Sequence, residues 1–330
     1  MKTKKKWLSF LWAVLLLAVA IALPQLFPKK YHTNLMNQCL INIIVVTGLN
    51  FITGLTGQMN MGTAGIFSLG AYTSALLSTK LNVSPWLGLL AAIVMGCLIG
   101  VCLGYPSLRL KGVYLSLTTI GFSEVVRIFI TNLDDLTGGA VGVTRIPAFS
   151  LFGFTFKDNV SNYYLSLAIT VVLLLLAWRL VHSKWGRAFK AIKDNPEAME
   201  SAGVNIASLK IMAFTLAAIY GCIGGALYAH FIRYINPAGF FHQLCDHAGH
   251  RRPGHRARQR AGRHSGYHHA GNSALFAKLL LVYLQHHYAG VCGIPAQRHV
   301  QRAAFCKELA DKPVPERRRW QWQPFLSWKT

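Results

Sequence analysis

Acidic side chains are scarce in this sequence: eleven Asp and Glu stand against 34 Lys and Arg in 330 residues, and charged residues of both signs reach only 14%. A soluble domain carries about 25% charge, so this shortage excludes an ordinary water-exposed surface over most of the chain. The seven cysteines show no pairing pattern, and Cys97, Cys102 and Cys222 lie inside apolar blocks, where a thiol acts as a small hydrophobe. No disulfide framework is implied. A G-x4-GK[ST] phosphate loop is missing, which excludes ATP chemistry carried by the chain itself. Lys2, Lys4, Lys5 and Lys6 precede the apolar run from Trp7 to Leu23, yet no small-residue cleavage site follows, so the run reads as a retained first helix.

What the sequence has in place of charge is long apolar blocks. They cover 7–23, 39–54, 63–79, 85–104, 113–131, 161–181 and 208–230, each near the length that crosses the ~30 Å hydrocarbon core as a helix. The expected fold class is all-α, a polytopic transmembrane helical bundle over residues 1–241. With a cytoplasmic N-terminus, the inside segments 1–6, 55–62, 105–112 and 182–207 carry ten Lys and Arg and the outside ones six. That sign agrees with the positive-inside rule, although Lys29 and Lys30 run against it.

Three segments between the blocks carry polar or flexible residues. Residues 182–207 are basic and then acidic (Lys184, Arg187, Lys190, Lys193, then Glu197 and Glu200), and Asn195-Pro196 predicts a break between two short amphipathic helices. Such a loop is either a docking surface or a solvated stretch that fixes topology. Residues 48–72 are rich in glycine, with Gln58 and Asn60 between the glycines; these side chains either line a path or satisfy backbone groups freed at a helix break. In 132–147, Asp134 and Asp135 beside Gly138 and Gly139 read as a turn, since a calcium loop needs more oxygen ligands. No metal site is expected there.

Several motifs in a fixed order are more specific. Gly48, Leu49, Asn50, Gly57, Gln58, Gly62, Gly70, Ala71 and Tyr72 are followed by YPSLRLKGVYLSLTTIGFSEVVR at 105–127, LTGGAVGV at 136–143, WGRAFKAIKDNPEAMESAG at 185–203 and GGALYAH at 224–230. From the first helix to about Phe241 the chain resembles the M-type permease subunit of branched-chain amino-acid ABC importers. The resemblance implies a transport subunit, not an enzyme, in a bacterial inner membrane. It implies contact with membrane lipid, a second homologous permease subunit, two ATPase subunits that hold ATP and Mg, and an extracytoplasmic amino-acid-binding protein. No cofactor is expected on this chain. Carried over by position, Glu197, Glu200, Ser201, Ala202 and Gly203 resemble the coupling helix that meets an ATPase, within a cytoplasmic coupling loop at 182–207. Asn50, Gly57, Gln58, Asn60, Gly62 and Tyr72 form a helix-packing or path-lining motif, and Thr137, Gly138 and Gly139 an outside-loop motif.

Residues 242–330 break the pattern. They hold 15 Lys and Arg, four Asp and Glu, and ten of the thirteen histidines. Taken literally, the tail is disordered and belongs to a membrane-anchored protein that binds nucleic acid through Arg251, Arg252, Arg256, Arg258, Arg260 and Arg263, or metal through Cys245 and the histidines. Neither set has the spacing of a known module. A shift of one base accounts for the tail better: read from the second base of each codon, all ten late histidines become Ile, Met or Thr. That frame permits the family's IGGLG-type glycine motif in its expected place, two helix-length apolar blocks over 246–305, and a stop near Leu326. The expectation is a frameshift between about Phe240 and Cys245, no nucleic-acid partner, and no transport by the literal 330-residue product, which is expected to be poorly folded after about residue 241.

Overall fold

The computed structural model describes residues 30–237, apart from Lys111, Phe152, Gly153 and Lys157, together with a few positions between 18 and 25. The expected helix at 7–23 and the tail beyond 237 lie outside the described residues. The described helices are α1 (Lys30–Leu49, continued by one π-helical turn, Asn50–Leu55), α2 (Thr63–Lys80), α3 (Pro85–Ser107), α4 (Val113–Asn132), α5 (Asp134–Thr137), α6 (Asn159–His182), α7 (Lys184–Asp194), α8 (Pro196–Ser201) and α9 (Ile206–Ile232). Five of them (α1 with its π-turn, α3, α4, α6 and α9) are long and apolar enough to cross a membrane. The class is all-α and polytopic. Two short antiparallel pairings, the long-range one of Val143–Thr144 with Tyr234–Ile235 and the local one of Ser150–Leu151 with Phe154–Thr155, decorate one end.

Helix ends agree with the apolar blocks to within a few residues except at α1, which begins at Lys30 and not near Cys39. Asn34, Asn37 and Gln38 interrupt the apolar run there. Asn37 is fully buried and its side-chain amide donates to the Asn159 carbonyl at 3.4 Å, at the start of α6, so a polar residue serves the helix interior.

α9 is the centre of the bundle, packed by α1, α2 and α3. Lipid supplies no hydrophobic force between helices, so association rests on close packing and polar links. α3 provides the closest approach: Gly96, Gly100 and Gly104, one turn apart, lie against Ile219, Thr215 and Ile211 of the antiparallel α9. At Gly100 a Cβ would run into the Thr215 backbone. Polar links join the same elements. His230 is fully buried, with its Nε2 2.8 Å from Ser74 Oγ and its Nδ1 2.8 Å from the Pro147 carbonyl. A carbonyl can only accept, so Nδ1 carries the proton and Nε2 accepts from the serine. Tyr220 donates to the Leu173 carbonyl at 2.8 Å, tying α9 to α6.

Successive long helices alternate in direction, which sorts the connections to two ends. Residues 56–62, 108–110 and 183–205 share one end, and residues 81–84, 133–151 and 233–237 share the other. At the second end Lys80 donates to the Asp135 carbonyl, and Trp86 donates to the Ser150 carbonyl at 2.8 Å. An open cleft of about 650 Å³ lies there, lined by Ser78, Asn82, Arg145, Pro147 and Ser150 among others.

Candidate functional site

The site begins at the break between α1 and α2. From Asn50 the helix widens into a π-turn and stops at Thr56, whose hydroxyl donates back to the Ile52 carbonyl at 2.7 Å. Gln58 N–H donates to the same carbonyl at 3.2 Å. Gly57 has φ +72°, a left-handed conformation that side chains with a Cβ disfavour. The next helix then starts with its amides held from outside. Asn60 Oδ1 accepts from Gly62 N–H at 2.8 Å, Thr119 Oγ1 accepts from Met61 N–H at 3.0 Å, and Ser123 Oγ accepts from Gly65 N–H at 3.2 Å. The two hydroxyls belong to α4. Thus Asn60 serves the freed backbone, whereas the buried side-chain amide of Gln58 makes no hydrogen bond among the described residues, and the buried hydroxyls of Thr63 and Ser116 make none there either. Asn50 lies over Gly54, and Tyr72 is buried two turns into α2.

The coupling segment lies at the same end. α7 buries Gly186, Phe189 and Ile192 on one face and begins at Ser183, whose Oγ accepts from Trp185 N–H at 3.2 Å. It stops where Asn195 turns to an extended backbone before Pro196, as the sequence predicts. Asn195 Oδ1 then accepts from Ala198 N–H at 3.1 Å, so the residue that ends α7 caps α8. α8 buries no residue, and Glu197, Glu200, Ser201, Ala202 and Gly203 are all exposed. Gly203 closes it with φ +77° and an N–H bonded to the Glu200 carbonyl at 2.9 Å. One side chain bridges the two parts: Lys193 Nζ donates to the Gly54 carbonyl at 2.9 Å.

The outside-loop motif stands apart. Thr137 donates from its hydroxyl to the Ile130 and Leu133 carbonyls at 2.6 and 2.8 Å, and Gly138 and Gly139 follow with φ +72° and +54°. These residues finish α4 and turn the chain. α4 has 20 residues, so they sit about 30 Å along its axis from the other end. The structure therefore brings the 50–62 motif and the 182–207 loop together, and leaves 137–139 at the opposite end.

Two features do not stand out in the sequence. Lys193 is there only one of four basic loop residues. Glu124 and Arg127 form an ion pair near the middle of α4, with Arg127 Nε 3.0 Å from Glu124 Oε1 and the side chains 49% and 38% exposed. The signal for this pair is two opposite charges three residues apart in an otherwise apolar run, the spacing that places two side chains side by side on a helix.

Known proteins share much of this chain. The family model described as branched-chain amino acid transport system / permease component matches residues 31–244. The chain is 32% identical over 253 residues to the high-affinity branched-chain amino acid transport system permease protein LivM of Escherichia coli K12, covering 70% of this chain and 59% of that one. It is 27% identical over 199 residues to the tyrosine transport system permease protein of Clostridioides difficile, covering 60% and 64%. It is 23% identical over 192 residues to the guanosine ABC transporter permease protein NupQ of Bacillus subtilis, covering 53% and 59%. No solved structure gives a significant match.

Proposed function

The chain belongs to the branched-chain amino acid transport system / permease component family, and from that premise we propose that it is the membrane-spanning permease subunit of an ATP-driven importer for branched-chain or related hydrophobic amino acids. The observation that carries this reading beyond family membership is the exposed α8, an acidic knob with no buried residue among those described, which directly follows α7, whose Lys193 reaches the end of α1. In this reading α8 faces the cytoplasm and enters a groove on one of two ATPase subunits, which hold ATP and Mg. A second homologous permease subunit completes the pathway, and an extracytoplasmic binding protein delivers the amino acid at the far end. The N-terminus is cytoplasmic and the membrane is the bacterial inner one. Nucleotide and binding protein drive transport through their different affinities for the two access states of the permease pair.

The branched-chain substrate is taken over from the name of the Escherichia coli relative, of which this chain spans 59% of the length. The test is leucine uptake by proteoliposomes holding the complete transporter, in competition with isoleucine, valine, tyrosine and guanosine. ATP-dependent leucine uptake blocked by isoleucine and valine is the expected result. Uptake of guanosine in place of leucine, or failure of any ATPase subunit to co-purify, sinks the reading.

The tail belongs to the same proposal. The family match ends at residue 244, within about four residues of the proposed frame break, and 86 residues lie beyond it. We propose that those residues are out of frame. Sequencing the coding DNA across codons 235–330 is expected to show one base gained or lost between codons 240 and 245, and an intact frame there overturns this part. The uptake assay uses the frame so established.

A further inference from the structure

Lys193 is the last basic residue before the Asn195–Pro196 break, one turn from the exposed α8. Its ammonium donates to the Gly54 carbonyl at 2.9 Å, and its stem crosses Gly57, where an added Cβ would come 3.1 Å from Lys193 Cγ. The acceptor is no ordinary helix carbonyl. Gly54 lies in the π-turn that ends α1, and carbonyls in a final helical turn lack amide partners within the helix while carrying the negative end of its dipole. A lysine is the side chain suited to that position, because it adds charge and a donor together.

Just after Gly54 the chain leaves the helix: Thr56 and Gln58 are tied back to the Ile52 carbonyl, Gly57 is left-handed, the Gln58 side-chain amide has no partner among the described residues, and Met59 is exposed. Beyond them Met61 and Gly65 are tied to the Thr119 and Ser123 hydroxyls of α4. Lys193 thus ties α7 to one end of residues 54–61, and the Thr119 hydroxyl ties the other end to α4. Phe189 and Ile192 seat α7 in the bundle, and α8 follows it directly across the Asn195–Pro196 break.

We infer that Lys193 is a positioning residue that passes displacement of α8 to the break between α1 and α2, so that residues 54–62 change shape when α8 is engaged. The inference rests on the coupling reading above and adds to it the residue through which coupling acts.

The test compares Lys193→Met, Lys193→Arg and Arg109→Met in the chain with its reading frame established as above, assembled with its partner subunits in proteoliposomes, with leucine as the probe. Lys193→Met is expected to keep ATP hydrolysis within about twofold while leucine moved per ATP falls about tenfold, the factor carried by one hydrogen bond to a charged group. Lys193→Arg keeps most of the ratio because a guanidinium still donates to the carbonyl. Arg109→Met removes an exposed positive charge from the same end of the bundle, outside the 182–207 loop, and leaves the ratio unchanged. A second measurement does not depend on transport: amide exchange across Gly54–Gln58 is expected to quicken about tenfold in Lys193→Met, with no change in α9. An unchanged leucine-to-ATP ratio in Lys193→Met, or an equal fall in Arg109→Met, overturns the inference. If the chain with Lys193 intact takes up no leucine, it is the coupling reading that fails. Exchange at Gly54–Gln58 then decides the link alone, quickening supporting it and no change overturning it.

Discussion

Gly100→Ala is expected to prevent the chain from accumulating as a folded membrane protein, whereas Gly121→Ala leaves accumulation unchanged. The two substitutions are chemically identical and both fall in apolar helices. Their surroundings differ: a Cβ at Gly100 meets the Thr215 Cα, and a Cβ at Gly121 meets nothing within 4 Å. A flexible neighbour would swing aside, but backbone yields only if α3 and α9 separate, and that interface is the most extensive among the described helices. The cost is about 3 kcal/mol or more, at the upper end of overpacking. At Gly121 the substitution gains helix propensity, up to about 1 kcal/mol in water. Yield of monodisperse protein in detergent, with its thermal midpoint, measures both variants. Equal behaviour of the pair would falsify the packing argument.

The second large effect is expected at α8. Glu197→Lys combined with Glu200→Lys is expected to leave the thermal midpoint unchanged, since α8 buries nothing and surface changes of this kind stay within about 0.5 kcal/mol. Binding of the ATPase subunits is expected to fall about a hundredfold, roughly 3 kcal/mol for two reversed charges at a close interface. Retention of the ATPase on the doubly substituted permease, measured by co-purification against a salt series, gives the answer. Undiminished retention removes α8 from the interface.

The contrast between those two regions shows what the sequence discloses. The helices at 85–104, 113–131, 161–181 and 208–230 are legible because a predominantly apolar run has one use at that length, and the one at 63–79, richer in Ser and Thr, because glycine-bearing segments bound it. The break at Asn195–Pro196 is legible because proline forbids continuation. The start of α1 is not: Asn37 looks like a surface residue until Asn159, 122 positions later, supplies its acceptor. Lys193 is hidden for a related reason. A lysine in a basic loop has many equivalent neighbours, and only the fold shows that this one reaches the open end of another helix. Gln58 and Asn60 are indistinguishable as polar residues among glycines, and their bonding separates them: Asn60 accepts from Gly62 N–H in the turn before α2, and the Gln58 side-chain amide has no partner among the described residues.

The ion pair on α4 has a consequence for how the protein is made. Ten Leu, Ile, Val and Phe residues in Val113–Asn132 favour membrane entry by about 5 kcal/mol in all, while Glu124 and Arg127 near the middle of the helix oppose it by about 5–7 kcal/mol. The balance lies near zero, so α4 gains little by leaving the translocation machinery alone. α2 is synthesised first and packs on α4 at Gly62 and Gly65, against Thr119 and Ser123. α4 is therefore expected to enter the bilayer beside α2, so that α4 fused to a reporter without α2 integrates less fully than with it.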